Sequence, residues 1–221
     1  MNGFFENVRW EQIGEASQDT MSMLVFSLLF TLILGLMLGI VLFLTSKGQL
    51  LQNKVAYAIL SFVVNIFRSV PFIILMIMIM PLTKILVGTS IGVKGAIPPL
   101  VIAAAPFFAR LVESALREVD RGVIEAATAM GASKSMIVFQ VLLREARGGL
   151  IAAATVTAVT LVSYTAMSGV IGAGGLGDLA LRYGYQRFQV DVMLVTVVLL
   201  LVLVQVLQMI GDGLVRYFSR K

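Results

Sequence analysis

Residues 117–147 read REVDRGVIEAATAMGASKSMIVFQVLLREAR, a polar stretch between two long apolar segments. Asp120 suits the N-cap of a first helix, and Gly131 can supply the left-handed residue that ends this helix after about three turns. Ser133 can then cap a second helix. Apolar residues recur at helical spacing in both: Val123, Ala127 and Met130 in the first, and Ile137, Val138, Val141 and Leu142 in the second. The stretch therefore predicts a compact helical plug.

The first helix of this plug carries residues that suit contact with a partner. Ala126 and Ala127 are small enough to let another backbone approach closely, and Glu125 beside them can pair with a cation on that partner. We therefore expect the plug to be a docking element.

The composition of the whole chain predicts an all-α integral membrane protein. Its 221 residues are 59% hydrophobic with a mean hydropathy of +0.97, well above a soluble domain. A bilayer core about 30 Å thick needs roughly 20 apolar residues in a helix. Several stretches meet this requirement, and we predict five transmembrane helices, the third of them shorter and rich in proline: 20–44, 57–80, 97–112, 149–171 and 190–210.

Proline and glycine residues predict local features in two of these spans. In the third, Pro98 and Pro99 suit a helix start, whereas Pro106 should kink the interior. In the first, Gly35 and Gly39 are four residues apart, which permits close helix packing.

The distribution of basic residues predicts the orientation. With the N-terminus outside, five Lys and Arg lie outside and eleven inside, and Arg68 lies within a span. The net charge of +5 is then better explained by the positive-inside rule than by nucleic-acid binding. We predict an extracytoplasmic segment over residues 1–19, a transmembrane domain over 20–215 with the plug facing the cytoplasm, and a cytoplasmic tail over 216–221.

No active site can be assembled from the residue types present. The chain has no His and no Cys, which removes the commonest general base and metal ligand and excludes disulfides. Glu113, Glu118 and Asp120 interleave with arginines, and a pair such as Glu113–Arg117 favours a solvated helix laced by ion pairs. We predict neither catalytic residues nor a metal site.

The plug resembles a known family. Glu125-Ala126-Ala127, then Gly131, then Val141-x-Leu143 is similar to the "EAA" loop of binding-protein-dependent ABC importer permeases. We call residues 117–147 the coupling loop, and by this resemblance its ATPase-coupling residues are Glu125, Ala126, Ala127, Met130, Gly131, Val141 and Leu143. One departure is Arg144, where the family usually has proline, at the exit helix of the loop.

Other segments resemble the methionine-uptake permeases of that family, over roughly residues 20–215. They are residues 64–72, 87–92, 105–110, 172–177 and 183–185. The resemblance implies the type I importer permease fold, an extracytoplasmic binding protein, and two cytoplasmic ATPases that bind ATP and Mg in place of this chain, which has no phosphate-binding loop. A homodimer of this chain is the simplest way to form the two-subunit pathway.

Several residues are candidates for the substrate pathway. Arg68, with Ser69 and Pro71 after it, lies near mid-membrane, where an arginine faces protein or water rather than lipid. It could line the pathway near a substrate carboxylate, or tie helices together through carbonyls exposed by Pro71. By the resemblance, Met167 constricts the pore, and ordinary helix packing is the alternative.

A glycine-rich segment follows the fourth span, and we call residues 172–177 the glycine loop. Gly172, Gly174, Gly175 and Gly177 match a dinucleotide-binding pattern letter for letter, but they follow a membrane span rather than a strand. We therefore reject a nucleotide site and expect these glycines to let the backbone turn tightly at the outer mouth of the pathway.

The leading hypothesis is therefore the transmembrane subunit of an ATP-driven methionine importer in the bacterial cytoplasmic membrane. Osmoprotectants or other small amino acids are alternative substrates. A self-sufficient channel or carrier is a further alternative, although the charged residue that lies away from the span ends is an arginine, Arg68, whereas proton relays need buried acids.

Overall fold

The computed structural model describes residues 6–219, which form helices joined by short connections and contain no strand. Residues 1–5 and 220–221, parts of the predicted outer segment and tail, lie outside this description. The helices are α1 (Trp10–Thr45), α2 (Lys54–Ser69), α3 (Phe72–Val87), α4 (Gly92–Arg117), α5 (Arg121–Ala129), α6 (Lys134–Met136), α7 (Leu143–Glu145), α8 (Arg147–Ser168), α9 (Gly175–Leu179) and α10 (Val190–Ser219). Wider π-helical turns cover Ile137–Leu142 and Ala180–Tyr185, and a 3-10 turn covers Gly169–Ile171.

Four helical segments of the described chain are long and apolar enough to cross a membrane. They are α1, α4, α8 with its 3-10 turn, and α10 as far as Phe218. Each contains or overlaps one predicted span, and α1 begins ten residues earlier than predicted. The fifth span is present if the bent pair α2 and α3 counts as one. The predicted all-α, multi-span architecture is confirmed.

The second predicted span is broken rather than continuous, so the prediction of a single helix over 57–80 was wrong. The helix axis bends by 109° between α2 and α3, at Val70 and Pro71. Val70 is extended, with φ −78° and ψ 127°, because a residue before proline is driven out of the helical region. Pro71 then serves as the N-cap of α3.

Proline acts differently in α4. This helix begins at Gly92, so Pro98 and Pro99 lie inside it and not at its start as predicted, and it continues through Pro106. Its most apolar part is 67% buried by the other helices, against 17–33% for the other three spanning segments. Packing over most of its apolar part holds α4 helical despite its prolines, since neighbouring helices can compensate for lost backbone hydrogen bonds.

α1 and α4 pack closely against each other. A Cβ at Gly35 would lie 2.8 Å from the Ala105 oxygen, and one at Gly39 would lie 2.6 Å from Val112 Cβ. The close packing predicted from these glycines is confirmed. In lipid such contact matters because helix association depends on van der Waals packing rather than on removing apolar surface from water.

We predict that Gly39→Ala destabilises the protein by about 1–3 kcal/mol, because the added methyl overpacks the α1–α4 contact. Gly14→Ala is the matched control in the same helix, where a Cβ meets nothing within 4 Å and alanine favours the helix. Thermal unfolding in detergent measures both. Equal midpoints for the two variants would contradict this description of the interface.

Candidate coupling and pathway sites

The coupling loop folds with the caps that its sequence predicts. Asp120 Oδ1 accepts a hydrogen bond from the Gly122 amide at 2.7 Å, at the start of α5. Gly131 adopts φ +79°, the left-handed conformation that ends this helix. Ser133 Oγ accepts from the Met136 amide at 3.3 Å and caps α6. The predicted two-helix plug is confirmed.

One side of the coupling loop is packed into its own chain. Ile137, Val138 and Leu142 are buried in a cluster with residues of α1 and α4, among them Phe43 and Leu116. Val141 and Leu143 pack against the same cluster. The loop is therefore fixed to the transmembrane helices by apolar contacts, and a force on the loop reaches those helices.

The other side is open to a partner. Glu125, Ala126 and Met130 are exposed, Met130 to 82%. Ala127, by contrast, is 5% exposed and packs in the cluster of Phe43 and Leu116. Of the two alanines that were expected to admit another backbone, only Ala126 is presented outward.

The exposed side includes a groove that the sequence did not indicate. The connection between α1 and α2 approaches α5, and together they line a concavity of about 540 Å³. Gly48, Gln49 and Leu50 form one wall, and Arg121 and Glu125 belong to the other. No local pattern could have revealed it, because its two walls are some 70 residues apart in sequence.

The exit from the coupling loop is helical at the position that departs from the family pattern. Arg144 is exposed and lies within α7, directly after the π-helical turn. Proline at this position would remove a backbone N–H donor, whereas Arg144 keeps it. The helical exit of this chain is therefore compatible with arginine at position 144.

Glu113 lies at the end of α4, just before the coupling loop. It forms ion pairs with Arg110 at 2.6 Å and Arg117 at 2.7 Å. The predicted Glu113–Arg117 pair is confirmed, but the predicted solvated setting was wrong, because Glu113 is only 4% exposed. Tyr57 of α2 covers it and donates a hydrogen bond at 3.1 Å.

The pathway candidates lie at two separate places in the described chain. Arg68 is exposed in the last turn of α2, and Ser69 Oγ donates to the Asn65 oxygen at 2.8 Å. Met167 of α8 is 42% exposed and lines an apolar concavity of about 460 Å³. Arg68 does not line that concavity, so a single chain does not bring the two residues into one pocket.

An aromatic pair connects the bend with α8. The rings of Phe72, directly after Pro71, and Tyr164 stack with centroids 4.3 Å apart. Tyr164 precedes Met167 by three residues, so both lie on one side of α8. The α2–α3 bend is therefore in direct contact with the part of α8 that carries Met167.

The glycine loop turns tightly, as predicted. Gly172, Gly174 and Gly175 have φ between +79° and +83°, a conformation that glycine adopts without steric cost. Gly177 allows close contact instead, because a Cβ there would lie 2.2 Å from the Ala166 oxygen of α8.

The glycine loop borders a polar concavity of about 630 Å³, which is also lined by Asp19, Asp178 and Arg182. Asp178 is 4% exposed and is hydrogen-bonded to Arg182, which raises the pKa of that guanidinium. Within residues 6–219, no three acidic side chains converge in a way that could hold a metal ion.

Comparison with known proteins identifies the family to which this fold and loop correspond. Residues 31–221 match the family described as the inner membrane component of binding-protein-dependent transport systems. The chain belongs to this family. It is therefore a membrane-embedded transport component and not an enzyme.

Relatives within the family match over most of the chain. The methionine import system permease protein MetP of Bacillus subtilis (strain 168) is 51% identical, over 99% of this chain and 98% of that protein. The probable D-methionine transport system permease protein MetI of Vibrio cholerae serotype O1 is 54% identical, over 80% and 78%. An inward-facing structure of the MetNI methionine ABC transporter has a chain 46% identical, with a TM-score of 0.94 over 97% of this chain and 99% of its own.

In this inner membrane component, Gly131 sets the end of α5, so we predict that Gly131→Ala loosens the coupling loop. The left-handed conformation costs a residue with a Cβ about 1–2 kcal/mol, although space around Gly131 is free. Amide hydrogen exchange in residues 121–145 should accelerate by about five- to thirtyfold. Gly131→Asn is the control, because asparagine tolerates this conformation better and should show a smaller change. Unaltered exchange in both variants would show that the turn does not set the loop's stability.

Proposed function

We propose that this protein is the transmembrane subunit of an ATP-driven importer for methionine. Two copies would form the pathway in the bacterial cytoplasmic membrane, with their N-termini outside. Two cytoplasmic ATPases would bind ATP and Mg, and an extracytoplasmic binding protein would deliver the substrate. The observation that carries this proposal is the coupling loop, which is packed into the helices on one side and presents Glu125 and Ala126 on the other.

Coupling follows from this two-sided packing. Closure of the ATPases would draw the exposed side of α5 with them. Because Ile137 and Leu142 are buried against Phe43 and Leu116, the cytoplasmic ends of α1 and α4 would move with the loop. The ATPases can shift the pathway from one state to another only if they bind the coupling loop more tightly in one state than in the other.

The substrate assignment rests on the relatives. MetP of Bacillus subtilis and the MetNI transporter are both named for methionine, and the likeness covers nearly the whole chain. None of the relatives cited supports an osmoprotectant or a self-sufficient carrier. With methionine as the substrate, Arg68 would attract the substrate carboxylate. Met167 would constrict the pore until the helices separate.

A second copy of the chain would complete the pathway. The apolar concavity beside Met167 is open on one chain, and Val170 and Tyr185 at its edge are 54% and 66% exposed. A two-fold axis near this surface would bring the two Met167 side chains together. The match to an inward-facing relative supports an inward-facing state for the present conformation.

We predict that Ala126→Phe uncouples transport, because the ring would hold the ATPase away from α5. Methionine uptake by vesicles that contain the full complex should fall by at least about tenfold, within the range of allosteric coupling, while the amount of protein in the membrane stays constant. Ala58→Phe, at an exposed position of α2, is the matched control and should transport normally. Normal uptake and ATPase binding by Ala126→Phe would count against the docking role.

We predict that vesicles with the complete complex accumulate labelled methionine only when ATP and the binding protein are present. Excess unlabelled methionine should abolish the signal, whereas a betaine-type osmoprotectant should leave it unchanged. Competition by the osmoprotectant alone would reassign the substrate. Uptake by the permease without its ATPase would instead establish the carrier alternative.

A further inference from the structure

α2 carries one polar face in an otherwise apolar, outward-exposed helix. Tyr57, Ser61 and Asn65 follow one another at intervals of four residues, so they lie on the same face. Within α2, Val64 alone is fully buried. The apolar support of this helix is therefore small: Val64 packs in a cluster whose other buried members are Leu42 and Ala109.

Each polar residue of that face contacts the ionic cluster of α4. Arg110 Nη2 donates to the Asn65 Oδ1 at 3.0 Å and to the backbone oxygen of Ser61 at 3.1 Å, and it also bonds the Ser61 hydroxyl. Tyr57 donates to Glu113 Oε1 at 3.1 Å and accepts from Arg117 at 3.5 Å. We call these six residues, Tyr57, Ser61, Asn65, Arg110, Glu113 and Arg117, the polar seam.

The polar seam fixes the register of the two helices more strictly than apolar packing would. Lipid is as apolar as a leucine side chain, so a small hydrophobic cluster gives little reason for one sliding position over another. A buried ion, by contrast, needs its hydrogen bonds, and a shift of α2 by one turn would remove Tyr57 from Glu113 and Asn65 from Arg110. The side chain of Glu113 is 5% exposed and that of Arg110 17%, so water replaces these partners poorly.

The position of the polar seam connects the coupling loop with the bend. Arg117 is the last residue of α4, and Asp120, three residues later, caps α5. At its other end α2 runs into the bend at Val70 and Pro71, beyond which Phe72 stacks on Tyr164. α2 is thus the element between the coupling loop and the part of α8 that carries Met167.

We propose that the polar seam makes α2 follow α4 when the coupling loop moves, so that Tyr57, Ser61 and Asn65 are positioning residues for transport. The proposal rests on the proposed importer function, because it assigns these residues a place in the same coupling path. Without the seam, α4 would still move with the ATPases, but α2 and the bend would not follow.

Two variants test this in the complete complex of permease, ATPase and binding protein in vesicles. Tyr57→Phe keeps the ring and removes the hydroxyl, and the double variant Ser61→Ala/Asn65→Leu removes the two side-chain acceptors that α2 offers to Arg110. We expect ATPase binding and ATP hydrolysis within about twofold of the unmodified complex, and methionine taken up per ATP hydrolysed to fall by at least about fivefold. The matched controls are Tyr217→Phe and Gln205→Leu, both on exposed positions of α10, which should leave this ratio unchanged.

An unchanged ratio in both seam variants would overturn the proposal, even if their melting temperatures fell, because a purely structural contact affects stability and not the ratio. If the unmodified complex itself binds no ATPase or imports no methionine, the proposed function fails instead.

The polar seam can then still be tested by measuring the distance between two spin labels. The labels are attached to cysteines introduced at Ile59 of α2 and Ser114 of α4, and no other site is labelled because the chain has no natural cysteine. The distance distribution should be narrow in the unmodified chain and broad in the double variant. Equal widths would overturn the proposal.

Discussion

The buried carboxylate of Glu113 is the contact on which the half of the molecule near the coupling loop depends. It lies between Arg110 and Arg117 at the end of α4 and is covered by Tyr57. Both arginines belong to α4 itself, so the two ion pairs stabilise this helix, and the hydrogen bond from Tyr57 favours one position of α2 beside it. Since the coupling loop begins at Arg117, this contact lies within about one turn of the start of the loop.

The packing of the coupling loop explains how a force on this loop could reach the transmembrane helices. One side of the loop is buried against α1 and α4, and the opposite side, with Glu125 and Ala126, is free for another protein. Tight helix contacts at Gly35 and Gly39 hold α1 to α4, so these helices respond as one body. α2 is attached to α4 through the polar seam and a small apolar cluster, and it leads to the bend that precedes α3.

Features governed by neighbouring residues could be predicted from the sequence. The caps at Asp120, Gly131 and Ser133 follow from local hydrogen bonding and backbone freedom, and the spans follow from hydropathy. Apart from the close contact at Gly35 and Gly39, features governed by packing could not be predicted. The prolines of α4 remain helical because other helices surround them, and Ala127 turns inward because the buried cluster lies on that side. The bend at Pro71 was missed because apolar residues continue through it, although proline is a local signal that could have revealed it.

The most direct test of the account is the sidedness and protection of a single cysteine at Ser135, an exposed position of the coupling loop. A membrane-impermeant maleimide should label it in inside-out vesicles and leave it unlabelled in right-side-out vesicles. Addition of the ATPase should slow the labelling. Labelling from the outer side, or no effect of the ATPase, would contradict the claim that this loop receives the force that drives transport.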